Sequence, residues 1–370
     1  MDIDLANQFL LELLDCQTYN WPANEAHFKH CCKLITSKFS QLGFIVEVTE
    51  TAKGPTILGY REGTSSTHSH FNGHYDMVPP ASHQYPVQVL DSPHGRVYGR
   101  GSSDMKGGIV AMFLAIQEMT AWNKKQQVSF SFSPDEEIGG LVGTQQLIDR
   151  LRQLKFQPTI IIVGDSSYPD ILVGHRGALW VKIKCSVVSS GRFSAIGEPS
   201  AFIIASIIAP RLEREMNKRG LQCVLGGECF SSGAINVWPQ QFSFSADIRF
   251  DLSQMSVNIE EILEQTIKDI METNKIAGDI LFESQLFVAP CQVRTMDHDI
   301  LSLVKNKIPQ CKIGIGKGFS DLRLFRDAFS CNSFVLGPGE PSKAHSSDEY
   351  IDWDCITQCA ESYLTLVEEI

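Results

Sequence analysis

The sequence predicts an α/β domain interrupted by a smaller α+β domain. Three observations carry this. From about residue 56 to residue 163, short β-type runs alternate with helical patterns. Residues 159–163 are all β-branched, as in a strand covered on both faces. The pattern then changes at Ala178, where a half-exposed alternation begins, and changes back after Pro290. A chain of 370 residues is long enough for two domains and too long for one simple core.

The elements follow in order. Leu5, Phe9, Leu10, Leu13 and Leu14 have the spacing of an amphipathic first helix. A second helix is expected over 25–42, stopped by Gly43. Strands are expected at 44–48, 56–60 and 67–73, a helix at 107–122, a strand at 128–132 and a helix at 140–154. In the insert, strands are expected at 178–188, around Val224, and at 234–237, 242–250 and 278–288. Helices are expected there at 199–219 and 255–273, with the apolar run 201–210 buried. After Pro290 come a helix at 297–307, a short strand, a helix at 320–329, a strand at 333–336 and a final helix from Asp348. The first domain is therefore discontinuous, 1–177 with 291–370, a mixed sheet covered by helices. The insert spans 178–290, about 110 residues, an ordinary domain size.

Composition narrows the function. Hydrophobic residues are 43% and charged residues 20%, as in an ordinary soluble domain. A net charge of −11 leaves no basic surplus to neutralise phosphates, so no nucleic-acid partner is expected. No membrane role is expected either, because no run approaches the roughly 20 apolar residues that span a bilayer. The start, Met1-Asp2-Ile3-Asp4, lacks the positive charge of a signal peptide. Eleven scattered cysteines without a Cys-x-x-Cys pair read as reduced thiols of a cytoplasmic protein.

Polar residues collect where strands end. His74-Tyr75-Asp76 follows one strand; a histidine there can bind a metal while a carboxylate two residues on orients the ring. Asp104 sits in a glycine-rich segment before a helix, where it can cap the helix or bridge two cations. Asp135-Glu136-Glu137 places three acids in a row beside apolar sequence, at a repulsive cost that bound cations would offset; a solvated turn is the alternative. Asp165 ends the strand at 159–163, where open α/β sheets bind ligands. His345 lies in a Gly/Pro-rich loop after an apolar strand. Together these parts point to a two-metal hydrolase.

The set resembles the M20 family of metallopeptidases and deacylases. The resembling stretches are Gly73-His74-Tyr75-Asp76-Met77-Val78-Pro79 and residues 99–108, 133–139, 163–166 and 337–349. The resemblance implies two zinc ions per subunit, with cobalt or manganese able to serve in the same site. His74 and His345 would each hold one ion, and Asp104 would bridge them. Glu137 would complete one shell and Asp165 the other. Asp76 would orient His74, and Glu136 would be the general base acting on a metal-activated water. The insert resembles the family's lid, which mediates dimerisation, so a homodimer through it is expected. Its landmarks Gly226-Gly227, Asn236, Pro239 and Asp247-Ile248-Arg249 are present, with Asn236 and Arg249 expected to bind the substrate carboxylate.

One position departs from the family. A lid histidine that stabilises the oxyanion is replaced by Ala195, and losing such a donor costs about 10²–10³ in rate. Arg192 or His175 could compensate. The expected activity is removal of the acyl group from an N-acyl amino acid, as in the acetylornithine deacetylase and succinyl-diaminopimelate desuccinylase group. Gly318-Phe319-Ser320-Asp321 and Gly337-Pro338-Gly339-Glu340 fit that group. A dipeptidase or carboxypeptidase of the same family, and a metal-binding protein of weak catalysis, are the alternatives.

Overall fold

A computed structural model describes residues 1–84, 86–90, 95–121, 126–188, 199–231, 237–293 and 297–370. The chain divides into two units. The first comprises Met1–Gly174, Gln292–Gly316 and Ser320–Ile370; the second comprises His175–Cys291 with Lys317–Phe319. Among the described residues the first unit carries a mixed sheet covered by helices, the α/β class that the alternating pattern predicts.

Four parallel strands form the middle of that sheet: Gln127–Ser133, His68–His74, Ile160–Val163 and Asn332–Val335, in that spatial order. Gly54–Arg61 and then Ile45–Thr51 extend it antiparallel on the Gln127–Ser133 side. Parallel strands end at the same edge. The register makes this concrete: His74 is level with Ser133, Asn72 with Val163, and Val163 with Val335.

Both faces are covered. On one, Phe71, Phe130, Phe132, Ile160, Ile162 and Phe334 pack in a cluster with helices Ile3–Asp15, Glu25–Gln41, Gly107–Ala121 and Trp353–Glu369. Gly107–Ala121 is apolar nearly all round, which suits a helix enclosed by others. Gly43 takes φ 80° after the second helix, a backbone that its missing Cβ permits. On the other face, Ile161, Val163 and Val335 pack with Leu147, Ile148 and Leu151 of helix Gly143–Gln153 and Leu322 and Phe325 of helix Leu322–Ala328.

That second face also holds a polar ladder. Ser129 Oγ lies 2.7 Å from both His68 Nε2 and His70 Nδ1, and Ser131 Oγ lies 2.9 Å from His70 Nε2. Asn72 donates to Ser131 Oγ at 3.1 Å. Burial pushes the pKa of His68 down to about 4 and that of His70 well below the ordinary value, so both rings are neutral near pH 7.

In the second unit, four antiparallel strands lie in the order Gln222–Ser231, Gln241–Phe250, Gly177–Ser186 and Asp279–Val288. Leu179, Val181, Ile183 and Cys185 alternate inward against helices Ala201–Lys218 and Ile259–Thr273. Phe202 and Ile203 are exposed, so the 201–210 run is amphipathic rather than wholly buried as its composition predicts. The helix expected from Met255 begins at Ile259, where Asn258 accepts the N–H of Glu261 as an N-cap. The strand expected at 234–237 falls largely on residues outside those described.

The C-terminal helix starts at Trp353, not at Asp348. Tyr350–Asp352 is a strand that pairs with Arg96–Tyr98, 250 residues and more away in sequence, which local patterning could not show.

One close approach gives a test. A Cβ on Gly337 would lie 1.9 Å from Gly164 O and 2.5 Å from Asp165 O, against backbone that cannot swing away. Gly337→Ala is expected to destabilise by about 1–3 kcal/mol. Gly314→Ala, whose Cβ would meet only Leu172 Cδ2 at 3.9 Å, should stay within about 0.5 kcal/mol of the parent. Urea unfolding measures both, and equal shifts would contradict the packing described.

Candidate metal centre

The common edge of the four parallel strands places one set of side chains together. His74 is the last residue of its strand. Glu136 and Glu137 occupy the single turn Glu136–Ile138 just beyond Ser133. Asp165 follows Val163 by two residues, and His345 lies in the loop after Asn332–Val335. Asp104 enters from the segment Ser102–Lys106, ahead of helix Gly107–Ala121, with extended backbone.

Asp104 stands between two groups. Its Oδ1 is 3.2 Å from His74 Nε2, and its Oδ2 is 3.4 Å from His345 Nε2. His74, Asp104 and Asp165 bring ligand-capable atoms within 4.8 Å of one another, and so do Asp104, Glu137 and His345. His74 Nε2 also lies 3.5 Å from Asp165 Oδ1 and 3.8 Å from Glu136 Oε2. His345 Nε2 is 3.1 Å from Glu137. His345 has φ 63°, an uncommon backbone for a residue with a Cβ, which the surrounding contacts must hold.

Asp76 serves both sides of the cluster. Its main-chain carbonyl accepts from His74 Nδ1 at 3.0 Å, and its Oδ1 lies 3.4 Å from the same nitrogen. With Nδ1 engaged by Asp76, Nε2 is the nitrogen that faces the cluster. The Asp76 carboxylate also accepts the N–H groups of Glu136 at 3.2 Å and Glu137 at 3.0 Å. Asp135 points elsewhere, accepting from Val142 and Gly143 N–H at the start of helix Gly143–Gln153. The run of three acids is thus split between a helix terminus and the cluster.

Electrostatics are severe here. Burial pushes the carboxyls of Glu136, Glu137 and Asp165 above their ordinary pKa values. Burial acts the same way on Asp104, but the imidazoles of His345 and His74 outweigh it and hold Asp104 well below the carboxylate range. Desolvation opposes charge on His74, yet the neighbouring carboxylates of Asp104, Asp165 and Asp76 hold it well above its usual value.

The residues fit divalent cations on the chemistry of the set and on two unmet demands. Two imidazoles and three carboxylates are ligands that zinc accepts. Beside them, the buried Oε1 of Glu136 makes no hydrogen bond. The buried Oδ1 of Asp165 makes none either, and faces His74 Nε2 at 3.5 Å.

Three supporting residues had no role in the sequence reading. Asp321 is buried and accepts from Ser133 Oγ at 3.1 Å and Thr144 Oγ1 at 2.5 Å, bracing the turn that carries Glu136 and Glu137; burial pushes its pKa up to about 7. Glu349 is fully buried, and Arg100 nearly so. Glu349 Oε2 accepts from Arg100 at 2.5 Å, and its Oε1 accepts the N–H groups of Ser103 and Asp104 at 3.0 and 3.1 Å. Each sits in a stretch the resemblance singled out, so an acid or arginine inside a motif but without a ligand role was the available signal.

In the second unit, Arg249 makes a bidentate pair with Asp247, at 2.7 and 2.9 Å. Its guanidinium stands 5.5 Å over the Phe319 ring. Its buried Nη1 has no hydrogen-bond partner. Asn236, Arg192 and Ala195 lie outside the described residues. His175 Nδ1 donates to the Arg176 carbonyl at 2.8 Å.

Comparison with known proteins identifies the family. The pattern of Peptidase family M20/M25/M40 matches residues 70–369. The succinyl-diaminopimelate desuccinylase of Wigglesworthia glossinidia brevipalpis is 34% identical over 347 residues, 87% of this chain and 88% of that protein. The desuccinylase of Novosphingobium aromaticivorans is 32% identical over 185 residues, 47% of this chain, so the match spans about half of that relative (48%). Among solved structures, the dipeptidase Dug1p of Saccharomyces cerevisiae superposes with a TM-score of 0.79. The superposition covers 99% of this chain and 96% of that one at 14% identity, a likeness of fold. With the family pattern spanning most of the chain and a relative at 34% identity along nearly all of it, the protein belongs to peptidase family M20/M25/M40.

Proposed function

We infer that the protein is a two-metal amidohydrolase that removes the acyl group from an N-acyl amino acid. The observation that carries this is Asp104 shared between two ligand groups, with the unpartnered Oε1 of Glu136 buried beside them. Both desuccinylase relatives support an acyl substrate. The shared fold of Dug1p keeps dipeptide hydrolysis as the second reading.

His74 with Asp165, and Glu137 with His345, would hold one zinc each, and Asp104 would join the two. When bound, two divalent cations lower the pKa of water and polarise an amide carbonyl. The remaining work belongs to the chain. Glu136 takes the proton of the attacking water and delivers it to the leaving nitrogen. The water oxygen joins the acyl carbon, the C–N bond breaks, and the second water proton passes from the nascent acid to the amine or solvent, so that a carboxylate and an amine or ammonium leave. Asp76 fixes the ring of His74 and the main chain of Glu136 together, so base and ligand keep their relative positions. Arg249 supplies a free N–H for the substrate carboxylate, and Asn236 is assigned the same role.

The reading extends to setting. Eleven free cysteines, most of them buried, support a reducing cytoplasm. No helix among the described residues is long and apolar enough to cross a membrane. A homodimer through the second unit belongs to the same reading, with Ala195 in the place of the lid histidine.

Amine release from N-acetyl, N-succinyl and dipeptide substrates, with Zn²⁺ or Co²⁺ loaded, tests the proposal. N-acyl amino acids should turn over and dipeptides should lag. Turnover of dipeptides alone would replace this reading with the peptidase one. No turnover with two metals bound would favour a protein disabled at Ala195. Glu136→Gln should lower kcat by about 10²–10⁴ while two metals stay bound. Asp76→Ala should weaken metal binding by about 10–100-fold, read by competition with a chromophoric chelator. Arg249→Met should raise KM by about 10–100-fold with kcat little changed; a pure kcat loss would count against a binding role.

A further inference from the structure

The buried pair Arg100–Glu349 ties together two loops that each carry a ligand of the same cation. Glu349 Oε1 accepts the consecutive N–H groups of Ser103 and Asp104, at 3.0 and 3.1 Å. Its Oε2 accepts from Arg100 Nη1 at 2.5 Å. The same guanidinium reaches with Nη2 to the main-chain carbonyl of His345, at 3.1 Å. The Glu349 main-chain carbonyl accepts the N–H of Gly99, next to Arg100. One carboxylate and one guanidinium thus hold the backbone of Asp104 and of His345, 241 residues apart in sequence.

The two ligand groups depend on this pair unequally. In the His74, Asp104 and Asp165 group, His74 ends its strand and is braced by Asp76, and Asp165 lies two residues past the adjacent parallel strand; neither is bonded by the pair. Only Asp104 relies on the pair. In the Asp104, Glu137 and His345 group, two of three ligands rely on it. His345 itself sits in a loop at φ 63° with its side chain half exposed, and its own carbonyl is bonded by Arg100. Glu137 is held separately, through its N–H to Asp76.

We propose that Arg100 and Glu349 are positioning residues that set the affinity of one of the two metals, the one held by Glu137 and His345. Neither reaches the ligand-capable atoms; both act through the main chain of Asp104 and His345. Arginine suits the task because its fork can bind a carboxylate and a carbonyl at once. The inference rests on the two-metal reading and gives the two ions different fates. Loosening the pair turns a two-metal centre into a one-metal centre.

Calorimetric titration of the metal-stripped full chain with Zn²⁺ tests this, with Glu349→Gln and Arg100→Lys beside the parent. The parent should bind two equivalents. In each variant one equivalent should weaken by about 10–100-fold while the other changes by less than about threefold. His345→Ala should lose the same equivalent, and adding Arg100→Lys to it should change the remaining one little. Equal weakening of both equivalents, or no weakening of either, would overturn the proposal. If Glu349→Gln fails to fold by circular dichroism, Arg100→Lys, which keeps the buried positive charge, decides alone. A parent that binds no metal would instead sink the two-metal reading itself, and is told apart from failure of this proposal because that is judged only against a parent that binds two equivalents.

Discussion

Repulsion among buried acids is the constraint from which the rest of the first unit follows. Asp104, Glu136, Glu137 and Asp165 converge on two imidazoles at one edge of the sheet. Two like charges about 4 Å apart repel by roughly 4 kcal/mol at an effective dielectric of 20. Desolvation adds to this, as the raised pKa values of Glu136, Glu137 and Asp165 record. A fold can hold such a set only if its backbone is rigid and the charge is neutralised. Parallel strands in fixed register supply the rigidity. Two cations would supply the neutralisation.

Around that cluster the protein spends its buried polar groups on orientation. Asp76, Asp321 and the Arg100–Glu349 pair each accept or donate to backbone or hydroxyl groups next to a ligand-bearing residue. Each satisfies groups that burial would otherwise leave unpaired. The ladder of His68, His70, Ser129 and Ser131 extends the same habit along the sheet, with neutral histidines bonded to serine hydroxyls rather than to charges.

The α/β class was legible because hydrophobic runs of strand length alternate with helical spacing, and most helices and strands lie within a few residues of their expected bounds. The cluster was legible for a related reason: Glu136, Glu137 and Asp165 follow closely on apolar strand-length runs, while Asp104 and His345 stand in glycine-rich segments. What sequence could not show is long-range. Glu349 and Arg100 are 249 residues apart, and nothing local marks them as partners. The strand Tyr350–Asp352 exists only because Arg96–Tyr98 pairs with it. Nor could sequence show that the histidines of His68–His74 and the serines of Gln127–Ser133 face one another across a covered sheet, Ser129 and Ser131 bonding His68 and His70.

The central claim is that this edge of the sheet is built to hold two cations joined through Asp104. Anomalous diffraction from zinc-loaded crystals tests it most directly. Two peaks are expected, one within bonding distance of His74 and Asp165 and one within bonding distance of Glu137 and His345, with Asp104 touching both. A single peak, or zinc bound elsewhere while His74 and His345 keep their carboxylate contacts, would contradict the account.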